Sequence, residues 1–128
     1  MFGNTDVMTM ATIKSYTDLQ QSKKLAKILS IESADMTYIG SELIPYPYCE
    51  SKFKGEDNVY PAWSLAALID VLPDEVGDNH YLTLDKEGNE YCCCYEDING
   101  NSFKHTFADN PVDTCVEMII KLHEKNLL

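Results

Sequence analysis

His80 to Phe107 reads HYLTLDKEGNEYCCCYEDINGNSFKHTF, and this stretch decides the fold. Two runs of strand-forming residues, His80 to Leu84 and Tyr91 to Glu96, flank a turn-rich loop, Asp85-Lys86-Glu87-Gly88-Asn89-Glu90. Pairing Leu84 with Tyr91 sets Leu82 against Cys93 and His80 against Tyr95. Side chains alternate across a strand, so this register puts Leu82, Leu84, Tyr91, Cys93 and Tyr95 on an inner face. Tyr81, Thr83, Cys92, Cys94 and Glu96 then form the wetter outer face. A second turn, Asp97-Ile98-Asn99-Gly100-Asn101, carries the Asn-Gly pair that supplies positive φ angles to a tight hairpin. Phe103 to Phe107 is expected as a third antiparallel strand with both phenylalanines facing inward. His80 and His105 fall on the Cys93 face.

Downstream of the strands, Asn110-Pro111-Val112-Asp113 marks a helix start: a preferred cap, a proline preorganised for the first turn, and an acid at the positive end of the dipole. Val112, Cys115, Val116, Ile119, Leu122 and His123 recur at helical spacing, while Glu117, Lys121, Glu124 and Lys125 lie off that stripe. Upstream, Pro61 fits the first turn of a helix running to Leu72 and stopped by Pro73. Ala62, Trp63, Leu65, Ala66, Leu68, Ile69, Val71 and Leu72 leave it little polar face, which predicts the central, most buried helix. Thr17 and Gln20 read as a capping box for a first helix, with Asp18 beside its positive end. Lys23, Lys24 and Lys27 occupy the solvated side of that helix. From Ile31 to Val59 the pattern is irregular, with Thr37-Tyr38-Ile39 and Tyr46-Pro47-Tyr48-Cys49 extended and separated by Gly40 and Pro45.

The expected architecture is α+β: three main helices packed on a three-stranded antiparallel β-meander, in the order α, irregular or β, α, β, β, β, α. Residues 1–14 are expected as a flexible leader and residues 15–128 as a single domain. A chain of 128 residues that is 45% hydrophobic and 24% charged suits one globular domain. Its 21 acids against 10 lysines or arginines, a net charge of -11, argue against direct nucleic-acid binding and against an anionic membrane surface. Many acids stand where helix starts, turns and solvated faces want them, as at Asp18, Asp113, Asp85 and Glu117, which weakens the total as a sign of function. No apolar run approaches the roughly 20 residues of a membrane span. Five cysteines, three of them consecutive, fit reduced thiols and a cytoplasmic location rather than a disulfide framework.

Two places hold candidate chemistry. Glu32, Ser33 and Asp35 sit close to Tyr38, and with Trp63 they are a candidate binding cleft for a small molecule. Set against this is the plainer reading of a helix-exit turn with solvated acids and a core tryptophan. Cys92, Cys94, Tyr81, Thr83 and Thr106 are a candidate surface for a protein partner or self-association, since an open sheet face with tyrosine suits contact. Consecutive strand cysteines cannot converge on one ion, so no metal site is assigned, nor any cofactor or catalytic residue. Cys115 lies on the apolar stripe and reads as core. There is no glycine-rich phosphate loop, nucleophile elbow or H-E-x-x-H pair.

Gln21-Ser22-Lys23-Lys24-Leu25-Ala26, Glu32-Ser33-Ala34-Asp35-Met36, Pro61 through Leu68, and Asn110 through Leu128 together resemble a group of short proteins encoded by gut bacteria of the Bacteroides type and by their phages or mobile elements. The resemblance runs from about Lys14 onward and is faintest between Met36 and Tyr60. It implies a mobile-element origin and transfers no functional residue. The expectation is therefore a non-enzymatic binding or interaction protein. The alternatives are a counter-defence protein, acting as an acidic decoy or as a nucleotide trap using Lys52 and Lys54, and a thiol- or carboxylate-dependent enzyme.

Overall fold

A computed structural model describes residues 13–47 and 57–128. Residues 1–12 of the expected leader, Tyr48, Cys49, Lys52 and Lys54 lie outside them. In chain order the elements are α1 (Leu19–Leu25), a 3-10 turn (Ile31–Ser33), β1 (Met36–Ile39), β2 (Glu42–Ile44), β3 (Val59–Ala62), α2 (Leu65–Val71), β4 (Glu75–Val76), β5 (His80–Glu87), β6 (Glu90–Glu96), β7 (Ser102–Ala108) and α3 (Pro111–Glu124). Among the described residues three α-helices therefore combine with two antiparallel sheets, one ordered β2-β1-β3 and the other β4-β5-β6-β7.

The smaller sheet replaces the expected irregular stretch. Gly40, at φ 63°, turns β1 tightly into β2, and Ile39 pairs with Glu42 across that turn. β3 joins the other side of β1, with Pro61 opposite Thr37. Pro61 was expected to open a helix; it stands instead in a strand at the edge of its sheet, where a missing N–H leaves no ladder bond unmade. Helix α2 starts only after Ser64, whose hydroxyl accepts from Ala67 N at 3.2 Å. Two apolar residues counted toward that helix, Ala62 and Trp63, thus belong to β3 and its exit. The remaining short helix buries only Leu68 and leaves Ile69 39% exposed.

The central helix is α3. It buries Pro111, Val112, Thr114, Cys115, Val116, Met118, Ile119 and Leu122 against the sheet and its neighbours. Asn110 caps it as expected, accepting from Asp113 N at 2.8 Å.

In the larger sheet the faces of β5 and β6 are as expected, but the register is not. Leu82 pairs with Tyr95, Leu84 with Cys93 and Lys86 with Tyr91, a slip of two residues that leaves every side chain on its expected face. The strands continue to Glu87 and Glu90, so the turn is only Gly88-Asn89, with Gly88 at φ 61°. β7 differs more. Thr106 pairs with Cys93 and faces the core at 4% exposure, whereas Phe107 pairs with Cys92 and His105 with Cys94 on the outside. Phe107 is 46% exposed and faces outward, opposite to the expected orientation, whereas Phe103, at a bulge beside Lys104 and 43% exposed, keeps its ring 5.3 Å from that of His80 on the inner face. The reason lies in α3, which follows β7 after Asp109-Asn110 alone and lies against it; threonines at 106 and 114 fit that approach where phenylalanine would not.

The amino-terminal cap also shifts by one residue. Asp18 accepts from Gln21 N at 2.8 Å and Gln21 Oε1 accepts from Asp18 N at 3.0 Å, closing the capping box. Thr17 is buried instead, its hydroxyl accepting from Trp63 N at 3.1 Å and sharing a 2.8 Å hydrogen bond with Ser22. Lys14, placed at the end of the expected leader, is part of the fold: its Nζ lies 3.0 Å from Asp18 and 2.8 Å from Asp113. Burial alone would push the Asp113 carboxyl up. Hydrogen bonds from Lys14, Asn110 and Gln21 and the lysine charge outweigh it and hold the group below the usual carboxylate range.

A depressed carboxylate stabilises the fold above its unfolded pKa, near 4, and that contribution disappears as pH falls through the folded value. Asp113→Asn is therefore expected to lower Tm at pH 7, with a free-energy loss of about 0.5–1 kcal/mol given the partial exposure of the pair. The difference from wild type should vanish by about pH 2, well below that carboxylate range. Thermal melts of both proteins across this range decide it; a difference independent of pH would mean that the ion pair is not its source.

Candidate functional site

The first sequence-marked cluster is assembled by the fold, but its polar atoms are turned on one another. The 3-10 turn brings Ser33 under the indole of Trp63, whose Nε1 donates to Ser33 Oγ at 2.9 Å. Ser33 Oγ in turn donates to Ser30 O at 2.7 Å. Asp35 receives Ser64 N at 2.8 Å on one oxygen and the Ser64 hydroxyl on the other. Tyr38 donates its hydroxyl to Thr17 O at 2.9 Å, and burial pushes that hydroxyl above the ordinary tyrosine range. Trp63 is fully buried and Glu32 is exposed. Ser33, Asp35, Tyr38 and Trp63 act together as a clasp that ties the segment before α1 to β1 and to the cap of α2.

The second cluster divides. Tyr81, Thr83, Cys92 and Cys94 share the outer face of the larger sheet, since Tyr81 pairs with Glu96, Thr83 with Cys94 and Asp85 with Cys92. Thr106, assigned to the same surface, lies on the opposite face and is buried, because β7 from Lys104 onward presents its even-numbered positions to the core. Its place outside is taken by His105 and Phe107, which had been assigned inward. The outer face holds a shallow depression of about 270 Å³, bordered by Asp85, Glu87, Cys92, Glu96, His105 and Phe107. Partial burial and then the charges of Cys94, Asp85, Glu87 and Glu96 push the Cys92 thiol up to about 11. A thiol so surrounded stays protonated near neutral pH and is a poor nucleophile.

A larger groove, about 580 Å³, lies where α1, α3 and β7 meet. Lys24, His105, Phe107, Glu117, Ile120 and Lys121 line it. Lys121 Nζ donates to the backbone carbonyl of His105 at 3.2 Å, placing a cation on strand β7, which ends its sheet. A second depression on α1, lined by Gln20, Gln21, Lys23, Lys24 and Lys27, meets the first at Lys24. The two together form a basic strip on a chain of net charge -11. Hydropathy spacing had marked these lysines only as solvated helix positions. Nothing in the pattern of α1 or α3 taken separately reports that their polar faces flank one strand edge.

Under the sheet, α2 and β5 leave a small crevice of about 150 Å³, lined by Ile69, Leu72, Leu82, Leu84, Cys93 and Cys115. Cys93 and Cys115 are both fully buried. Among the described residues no three His, Cys, Asp or Glu side chains are grouped to hold a metal ion, and no helix is long and apolar enough to cross a membrane. No protein-family model matches the chain, and neither a curated protein nor a solved structure is detectably similar to it.

Proposed function

We propose that this chain is a non-enzymatic interaction protein of phage or mobile-element origin, acting in the cytoplasm, and that its partner is an acidic, extended segment laid along β7. The observation that carries the reading is the outer edge of β7, which no strand among the described residues pairs, beside the groove that Lys24 and Lys121 share. An edge strand offers unpaired backbone groups to an added strand, and flanking side chains select what is added. Lysines over that edge, on a molecule acidic elsewhere, select carboxylates by charge complementarity. They also disfavour a second copy of the chain, because a twofold contact sets a surface patch against itself and would oppose like charges. The exposed rings of Phe103 and Phe107 add apolar contact area along the same strand.

The test uses two short probes of alternating sequence, one glutamate–valine and one lysine–valine, titrated against the full chain by fluorescence polarisation. The glutamate–valine peptide is expected to bind, with an affinity that falls as salt rises, and the lysine–valine peptide is not. Lys121→Glu should weaken the binding by about tenfold or more while circular dichroism stays unchanged. Equal binding of the two peptides, or binding by neither, overturns the proposal. So does a Lys121→Glu protein that self-associates yet binds the peptide as before, because the lysine would then only be guarding the edge.

A further inference from the structure

The hairpin tip between β6 and β7 carries an apolar side chain that the fold does not use. Ile98 is 94% exposed, more than any other large apolar residue among those described, and Tyr81 beside it is 47% exposed. The loop that presents it is fixed by its own hydrogen bonds. Asp97 Oδ1 accepts from Asn99 N and Asn101 N, each at 2.9 Å, and Oδ2 accepts from Asn101 Nδ2 at 3.1 Å. The backbone closes the same loop, with Asp97 N donating to Asn101 O and Gly100 N to Asp97 O, both at 3.0 Å. Gly100, at φ 83°, supplies the left-handed conformation that this closure needs. None of these bonds requires isoleucine at 98. A β-branched side chain has few rotamers to lose, so a rigid loop that holds one in water is preorganised for a pocket.

Charge selects the pocket. Asp78 and Asp97 stand beside Ile98 and Tyr81, and among the described residues no lysine or arginine borders the depression they share. The groove of α1, α3 and β7 has the opposite sign, with Lys24 and Lys121 beside apolar Ile120 and Phe107, and with Glu117 as its one acid among the described residues. Its volume of about 580 Å³ is ample for an isoleucine side chain. We infer that the tip of one copy seats Ile98 in the basic groove of the next, joining chains of this protein head to tail. The contact rests on the reading of that groove as a docking site for acidic segments and names a second copy as an occupant. Lysines do not meet lysines here, as they would in a twofold contact, because the two patches differ. Nor does the tip reach its own groove: the hairpin is closed by the bonds above, and at about 3.3 Å per residue Thr106 stands roughly 17 Å along β7 from Asn101. Both patches are thus available at once on each chain. A contact between unlike patches repeats until it closes a ring or runs on as a filament.

Sedimentation of the full chain from micromolar to millimolar concentration is expected to show a mass that climbs past a dimer and falls back in high salt. Ile98→Lys and Lys121→Glu should each weaken the association by about tenfold or more, with circular dichroism unchanged. Mixed together, the two variants should recover one contact, since the Lys121→Glu chain keeps a tip and the Ile98→Lys chain keeps a groove. The mixture then stops at a one-to-one pair. A wild-type chain that stays at its single-chain mass, an Ile98→Lys chain that associates as the wild type does, or a mixture that stays at the single-chain mass overturns the inference. The glutamate–valine peptide separates these results from failure of the groove itself, because Ile98→Lys should bind it as the wild type does. A wild-type chain that binds the peptide but stays single removes the head-to-tail contact alone, while one that neither binds nor associates removes both.

Discussion

Trp63→Ala should lower the unfolding free energy by about 3–5 kcal/mol, the range expected when a fully buried aromatic side chain is truncated. Trp63 is 0% exposed and belongs to the core with Leu25, Leu68, Leu72 and Met118. Its backbone closes a further contact, since Thr17 N donates to Trp63 O at 2.9 Å and Trp63 N donates to the Thr17 hydroxyl at 3.1 Å. Truncation leaves those backbone bonds geometrically possible but removes the volume that holds the segment before α1 in place. The loss is a large part of the roughly 5–15 kcal/mol that stabilises a domain of this kind. Trp63→Phe keeps most of the packing and loses the bond from Nε1 to Ser33. Ser33 retains its bond to Ser30 O, so no hydroxyl is orphaned, and the cost should be about 1–2 kcal/mol. The chain has one tryptophan, so urea unfolding must be followed by circular dichroism rather than indole fluorescence. A loss under about 1.5 kcal/mol for the alanine variant would contradict the central packing role given to this ring, whose removal alone should exceed that figure.

How far the fold was legible depends on whether a signal was local. The cap at Asn110 and the stripe from Val112 to Leu122 depend on adjacent residues and predicted α3 closely. The alternation along β5 and β6 gave the correct faces, while the register depended on how many residues the turn consumed. The turn is two residues, not six, because Lys86 and Glu87 continue the ladder on one side and Glu90 on the other. Pro61 shows a signal with two meanings. Proline suits both a first helical turn and an edge strand, and only the pairing with Thr37 decides between them. With Ala62 and Trp63 counted in a helix, α2 looked long and wholly buried. Two turns remain once they are removed.

The candidate sites were less legible than the fold. Of Glu32, Ser33, Asp35, Tyr38 and Trp63, the last four are tied by hydrogen bonds into one region, but polar convergence alone does not distinguish a cleft from a clasp. The distinction lies in the partners: Asp35 is engaged by Ser64 and Trp63 by Ser33. The basic groove was invisible because it is made by three elements, each ordinary in isolation. Lys24 and Lys121 are separated along the chain, and only the docking of α1 and α3 beside β7 brings them to one surface.

The misplaced Thr106 leads to the second large effect. Thr106 Oγ1 lies 2.7 Å from Thr114 Oγ1 and 2.8 Å from Thr114 O, and Thr114 Oγ1 donates to Thr106 O at 2.9 Å. Thr114 is 0% and Thr106 4% exposed, so water cannot substitute for a missing partner. Replacing one threonine by valine keeps the shape and removes the bond between the hydroxyls and one bond to a backbone carbonyl, while the other hydroxyl keeps its own carbonyl partner. Thr106→Val and Thr114→Val should therefore each cost about 1–3 kcal/mol. The double variant faces two methyl groups across the contact instead of a hydroxyl and a methyl. Its cost should fall short of the sum of the two single losses by about 1 kcal/mol, because the bond between the hydroxyls is lost in each single variant and only once in the double. Urea unfolding of the four proteins completes the cycle. Additive losses would mean that the two hydroxyls act independently and that α3 is held to β7 by apolar packing alone. A coupling of the expected size makes the threonine pair the contact that fixes α3 against the sheet, which turns Phe107 outward beside the edge where a partner strand would lie.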